Sequence, residues 1–168
     1  ALLERRIDRH FCAVCGLPLP GSVDGESLCL TCMAEERYFD RARSFFPYDS
    51  PIAPVVRAYK FRGDFFLGPR LLKGILRSAG APPEIETPSA VIAVPLHPRR
   101  LRERGYNQSA LLGRVLAGHF GRRLLSGVLR RTRHTSRQTG LSRTARRDNV
   151  RGAFEAARPG AVDGLHLL

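Results

Sequence analysis

The sequence predicts an α/β protein built on a parallel sheet, with a small metal-stapled ribbon in front of it. Three observations predict this. Residues 90–94, AVIAV, form a continuous apolar run of strand length, the pattern of a parallel strand buried on both faces. Segments with apolar residues at helical spacing alternate with strand-length segments along the rest of the chain. Four cysteines stand near the start as CAVC and CLTC. At 168 residues the chain can hold one domain with a core of its own and a small appendage. The expected division is an N-terminal helix and ribbon at 1–38, then the α/β domain at 39–168.

The opening residues, ALLERRIDRH, are charged and amphipathic and lack the uninterrupted apolar stretch of a signal peptide. No apolar run approaches the roughly 20 residues needed to cross a bilayer. A cytoplasmic chain without membrane insertion is expected. Cys12, Cys15, Cys29 and Cys32 make a C-x2-C-x13-C-x2-C array. Each pair can put two thiolates on one small ion, and two pairs complete a tetrahedral sulfur shell. Gly16 follows the first pair, where a positive φ lets the backbone turn its N–H groups toward sulfur. PLPGSVDGES between the pairs is turn material. Disulfides suit an oxidising compartment rather than this one, and an iron–sulfur cluster is the competing metal reading. Structural zinc is expected, with no open coordination position for chemistry.

The body follows in order. RARSFFPYD (41–49) reads as a strand bounded by Pro47 and Asp49. SPIAPVVRAYKF (50–61) has a serine at a possible N-cap and apolar residues at helical spacing. Residues 63–80 read as a second helix, with Phe66, Leu67, Leu71, Leu72, Ile75 and Leu76 on one face. A proline-rich link (81–89) leads into the strand 90–94. Residues 107–120 are helical, with Asn107 as candidate cap. Residues 126–133 read as a strand, 135–142 as a polar loop and 142–150 as a short basic helix. Residues 152–156 read as a strand, and 164–168, GLHLL, as the start of another. No internal repeat or low-complexity tract appears.

Charge is distributed unevenly. Residues 1–96 carry 12 basic and 11 acidic side chains, whereas 97–158 carry 16 arginines against Glu103, Asp148 and Glu155, a balance of +13. Only Lys60 and Lys73 are lysines; the other 26 cations are arginine. A field so one-sided attracts polyanions or phosphorylated small molecules, and the planar guanidinium suits bidentate phosphate recognition. Four of these arginines, Arg99, Arg100, Arg102 and Arg104, lie between the strand 90–94 and the helix at 107. Ligands of open α/β sheets bind outside the carboxyl ends of the strands. The junction after Val94 is therefore read as a loop forming a phosphate or pyrophosphate site, facing the N–H groups of the following helix. Pro95 and Pro98 stiffen it. His97, His134 and His166 have no visible paired acid, and Ser109 and Ser136 stand in no nucleophile context, so no catalytic residue is assigned.

VPLHPRRLRERGYNQSALLGRVLA (94–117), followed by RTRHTSRQTGLSRTARRDNVRGAF (131–154), strongly resembles the ComF family, phosphoribosyltransferase-like proteins associated with natural competence and DNA uptake. YKFRGD (59–64) and the C-x2-C pairs resemble that family's early K-[FY]-x-G-D element and its zinc ribbon. The second segment is also similar to the flexible loop of glutamine amidophosphoribosyltransferases. The resemblance implies a type I phosphoribosyltransferase-like sheet that binds phosphoribosyl pyrophosphate (PRPP) with magnesium. Pro95, Leu96 and His97 would form the pyrophosphate loop. Arg104, Gly105, Asn107 and Gln108 would shape the turn and helix start. Arg133, Gln138, Arg146 and Arg147 would close over the diphosphate. Stabilising charge on a leaving diphosphate is work for arginines and a metal. Members continue past the last strand into an acidic loop of the form D-D-V-x-T-T-G-x-T that holds the ribose 5′-phosphate, and no such sequence occurs here. The expectation is an incomplete sheet and no measurable phosphoribosyl transfer by this chain. The alternative is a non-catalytic, zinc-containing module for single-stranded DNA, working with DNA-uptake proteins. Such a module gains from the basic half electrostatically, but only Tyr106 and Phe120 stand near that half as stacking groups.

Overall fold

A computed structural model describes residues 10–21, 27–48, 51–83, 85–136 and 138–168. The expected N-terminal helix lies outside the described residues. The chain divides into two compact units, one drawn from Ala1–Val55 and Ile75–Glu86, the other from Val56–Gly74 and Thr87–Leu168.

In the first unit the backbone doubles back after the first cysteine pair. Cys12 N–H donates to Leu17 O (2.8 Å) and Leu19 N–H to His10 O (2.7 Å), with Phe11 and Pro18 in antiparallel register. Helix α1 (Leu30–Ala34) follows the third cysteine, and Cys32 and Met33 N–H both donate to Cys29 O. The strand expected at 41–49 does not form over 41–48. Its phenylalanines are adjacent rather than alternating, and Pro47 has no N–H to give a ladder. The segment works as a strap instead. Ala42 N–H donates to Val14 O (2.7 Å), and Arg43 donates to Ala13 O (2.9 Å) while its guanidinium lies 4.7 Å from the Phe11 ring.

Helices α2 (Ile52–Phe61) and α3 (Leu67–Ala79) match the two helical segments expected there. Helix α3 starts late because Gly63 takes φ 74° and the chain turns through Asp64–Phe66. A Cβ on Gly68 would stand 2.6 Å from the Tyr59 ring, so α3 begins in direct contact with that tyrosine.

Strand β1 (Ala90–Ile92) is the centre of the second unit, and Val91 is 2% exposed. It pairs in parallel with β2 (Arg123–Leu125), Val91 opposite Leu124. On its other edge Leu167 bridges Ala90 in parallel, with Ile92 N–H donating to Leu168 O at 2.7 Å. Between β1 and β2 run two helices, α4 (Pro98–Arg104) and α5 (Gln108–Phe120). The junction after Val94 was expected to be a loop; most of it is helix α4. Pro98 fills the first helical position, where its missing N–H costs nothing, and Gly105 closes the helix at φ 81°. Helix α5 lies close on the sheet: a Cβ on Gly113 would be 3.0 Å from Leu124 Cδ1 and 3.6 Å from Val91 Cγ1.

Strands β3 (Leu129–Arg131) and β4 (Phe154–Ala156) fall within the strands expected at 126–133 and 152–156, but they do not join the parallel sheet. They pair with each other, antiparallel, Leu129 opposite Ala156. Both are half exposed, which an antiparallel ribbon tolerates and a buried parallel strand does not. Helix α6 (Arg143–Val150) sits between them, capped by Ser142 Oγ accepting from Ala145 N–H. The fold is a mixed helix and strand arrangement around a small parallel sheet.

The Gly113 contact yields a stability test. Gly113→Val should destabilise the protein by about 1–3 kcal/mol through overpacking against Leu124 and Val91. Gly118→Ala, on the open face of the same helix, should be neutral or stabilising by up to ~1 kcal/mol. Thermal unfolding measures both; equal losses would refute the close packing of α5.

Candidate functional site

Two constellations stand out, one in each unit. In the first, one sulfur from each of Cys12, Cys15, Cys29 and Cys32 lies within 4.8 Å of the others. This is the only such ligand cluster among the described residues. Cys12 and Cys29 are buried, and Cys15 Sγ and Cys29 Sγ are 3.7 Å apart. The local chain holds them this way for identifiable reasons. Gly16 takes φ 70°, its N–H donates to Cys12 O, and a Cβ there would stand 2.5 Å from Ala42 O. Burial opposes ionisation of Cys12, but the backbone groups of Cys29, Cys15 and Val14 bring its pKa down to about 6. The backbone at Cys32 lowers Cys29. Burial pushes Cys15 up to about 12 when no ion replaces its proton. Arg37 Nε–H donates to Cys32 Sγ at 3.4 Å and supplies positive charge to the cluster. A set of four thiols, two of them with lowered pKa, could hold a metal ion such as zinc. Four protein ligands would fill its shell and leave it structural.

In the second unit a cavity of about 350 Å³ opens between β1's trailing loop, α4, the end of α2 and the segment after β3. Its walls are Lys60, Leu96, His97, Arg100, Arg104, Arg131, His134, Thr135, Ser136 and Gln138. Four are cationic and none is acidic. Glu103, the acid within the arginine run, is spent on its own helix, 3.2 Å from both Arg99 and Arg100. Those guanidiniums hold its carboxyl below the usual range.

His97 is the N-cap of α4, its Nδ1 accepting from Arg99 N–H at 3.3 Å. In its neutral form the proton is thereby placed on Nε2. Its ring meets that of His134 edge-on at 5.3 Å. Partial burial, then the positive surroundings of His134, Arg131, Arg102 and Arg99, hold its pKa below the ordinary histidine value. Arg131 is set differently from the surface arginines. It donates to Thr135 Oγ1, its guanidinium lies 5.2 Å from the Phe154 ring, and its buried Nε has no hydrogen-bond partner. Burial, followed by the charges of Arg100 and Arg133, pushes its pKa down.

The residues singled out from sequence are placed as follows. Leu96, His97, Arg104 and Gln138 line the cavity; Pro95, Gly105, Asn107, Gln108, Arg133, Arg146 and Arg147 are not among its walls. Asn107 is the N-cap of α5: Oδ1 accepts from Ser109 and Ala110 N–H, and Nδ2 donates to Val94 O at 3.1 Å. Gln108 is buried, its backbone O accepts from Tyr59 O–H at 2.8 Å, and its Nε2 has no partner. Arg133 donates to Asn149 O and Arg151 O, and Arg146 donates to Gln138 O. Arg147 lies exposed on α6. The sequence reading missed Lys60, Arg131 and Thr135 as wall residues, named Arg100 only within the arginine run after Val94, and set aside His134 and Ser136. The available signal was period two in β3, which puts Arg131 on the face of Leu129.

No family model matches the chain, and no solved structure matches it. It is 31% identical to Competence protein F of Haemophilus influenzae, across 88% of this chain and 64% of that protein. It is 31% identical to DNA utilization protein YhgH of Escherichia coli O6:H1, across 97% of this chain and 71% of the relative. It is 34% identical to DNA utilization protein YhgH of Salmonella typhi, across 94% and 69%. The chain thus spans about two thirds of the length of these relatives. No helix among the described residues is long and apolar enough to cross a membrane.

The thiol cluster should carry one equivalent of a thiolate-preferring ion per chain, measured by elemental analysis of protein purified without chelator. Cys29→Ser should reduce that content severely and open the ribbon to proteolysis at 10–40. Metal-free protein with a protease-resistant ribbon would refute the cluster as a metal site.

Proposed function

The chain belongs to the ComF family, and from that premise we propose that its cavity binds the diphosphate of PRPP, or a closely related phosphate, in a protein of DNA uptake and utilisation. Arg131 carries this reading: its half-buried guanidinium stands at a cavity whose wall residues include three more cations and no carboxylate. Cations gathered at one wall without a carboxylate are matched by an anion, and guanidiniums suit phosphate oxygens. The volume lies at the lower end of small-ligand clefts, roughly 300–1,000 Å³. Lys60, Arg104 and Arg131 hold the anion, and His97 donates from Nε2. A type I phosphoribosyltransferase-like sheet fits the position of the cavity, beyond the carboxyl end of β1. Magnesium enters with the diphosphate as part of the ligand. Zinc is the ion of the ribbon, where it staples a segment with little core of its own.

A second reading rests on the +13 balance of residues 97–158. That surface attracts the backbone of single-stranded DNA, and the relatives are named for competence and for DNA utilization. Binding of that kind is set by counterion release and falls steeply with salt.

Isothermal titration with inorganic pyrophosphate, and with PRPP plus magnesium, tests the first reading. Arg131→Ala should weaken both at least tenfold, since a charge-assisted contact contributes about 1.5–3 kcal/mol. Unchanged affinity in Arg131→Ala would overturn it. The pH dependence has a fixed sign. A bound anion favours the imidazolium of His97, whose pKa is depressed in the free protein. Affinity should therefore rise as pH falls from 8 to 6, and His97→Ala should flatten that rise. For the second reading, raising salt from low to physiological concentration should cost DNA affinity at least tenfold; a flat response would exclude an electrostatic mode.

A further inference from the structure

The sequence places few aromatic groups in the basic half, but the fold brings others to it. Phe61, Phe65 and Phe66, from the nearly neutral half, are 66%, 42% and 63% exposed. They flank the segment 104–106. The Arg104 guanidinium lies 5.3 Å from the Phe61 ring, and the Phe65 ring lies 5.9 Å from Tyr106 and 4.1 Å from Phe66. Arg104 is also a cavity wall, as is Lys60, the residue before Phe61. An exposed aromatic surface therefore begins where the cationic cavity ends, and the two share a side chain.

We propose that Phe61, Phe65 and Phe66 form a stacking surface for the bases of a single-stranded polynucleotide whose phosphate lies in the cavity. Charge complementarity commits the surface to this occupant: an apolar peptide would leave the adjoining cations unmatched, whereas a nucleotide presents a π-face and an anion within one unit. Arg104 is placed to act on both, stacking through its planar guanidinium and donating to phosphate. Two aromatic groups, Phe61 on one side and the Phe65–Phe66 pair on the other, offer room for more than one base, which favours a strand over a mononucleotide. Stacking of this kind tolerates any base, because every base has a π-face. Asp64, between the two groups in sequence, is the one acid of the turn 61–66.

The inference rests on the phosphate-binding reading of the cavity, and four probes separate the two: inorganic pyrophosphate, thymidine monophosphate, an oligothymidine, and an abasic oligonucleotide of equal length. The wild-type chain should bind oligothymidine more tightly than the abasic strand or the monophosphate. Phe61→Ala and Phe66→Ala should each reduce oligothymidine affinity by about 5- to 150-fold, corresponding to ~1–3 kcal/mol per stacked base, and leave pyrophosphate and abasic-strand affinity unchanged. Equal binding of oligothymidine and abasic strand would overturn the proposal while leaving the cavity reading intact. Monophosphate binding as tight as the oligothymidine would overturn the assignment to a strand. Loss of all four ligands in a Phe variant with unaltered circular dichroism would also overturn it, by showing that the ring supports the cavity instead. Failure of pyrophosphate alone to bind, with base-dependent binding kept, would overturn the cavity reading and with it the placing of the strand's phosphate there.

Discussion

The second unit depends on the close contact of helix α5 with strand β1. At Gly113 the helix comes so near Val91 and Leu124 that a side chain cannot be added without displacing a neighbour. That contact fixes where the N-terminus of α5 lies, and the N-terminus in turn organises the site. Asn107 caps the helix with one side-chain atom and with the other holds the carbonyl of Val94, at the exit of the strand. Tyr59 reaches the carbonyl of Gln108 from α2. Burial, with a smaller contribution from Tyr106, pushes the Tyr59 pKa up to about 12, so it remains a donor at any physiological pH. Tyr106 O–H closes the circuit onto the Tyr59 carbonyl. Segments almost fifty residues apart in sequence are thus tied to one strand end, and Lys60, His97 and Arg104 face one cavity as a consequence.

Bringing those cations together is unfavourable in the free protein. The depressed pKa values of His97 and Arg131 are its signature: each is held among like charges while partly removed from water. Among the described residues no carboxylate lines the cavity, and Glu103 pairs only with Arg99 and with the wall residue Arg100. An arrangement that costs stability when empty and gains it when an anion enters has the electrostatic form of a binding site.

How much of this was legible in the sequence differs by kind of signal. The thiol cluster was legible because its information is local: two C-x2-C pairs and a glycine suffice to place four sulfurs. The strand expected at 90–94, which forms over Ala90–Ile92 and leaves Val94 exposed, and the helix capped by Asn107 were legible for the same reason, a run of like residues bounded by a turn or cap. Helix α4 was not, because it carries almost no apolar stripe; Leu101 is its only large apolar residue. It is held by Pro98 at its start, Gly105 at its end and the Glu103 ion pairs, and these signals are weaker than periodicity. The segment 41–48 misled in the opposite direction, with β-forming residues that lack the alternation a strand needs. The antiparallel pairing of β3 with β4, and the gathering of Lys60, Arg131 and the exposed phenylalanines about Arg104, depend on contacts distant in sequence, which no single-segment pattern encodes.

Each of the two units is stabilised by different physics. The second has an apolar centre in Ala90, Val91, Ala117, Val128 and Ala153, all nearly inaccessible to water. Around its cysteines the first has little comparable. Leu17, Leu28, Leu30 and Met33 are exposed, and the buried groups of the ribbon are sulfur and glycine. A segment that exposes its aliphatic side chains and buries its thiols cannot draw its stability mainly from hydrophobic transfer. A metal ion, which the four sulfurs could hold, would supply the missing stability, beside the Arg43 strap over Phe11 and its bond to the Ala13 carbonyl. Arg37 at Cys32 fits the same account, because a cation beside four thiolates would offset the surplus negative charge they would bring to a divalent ion.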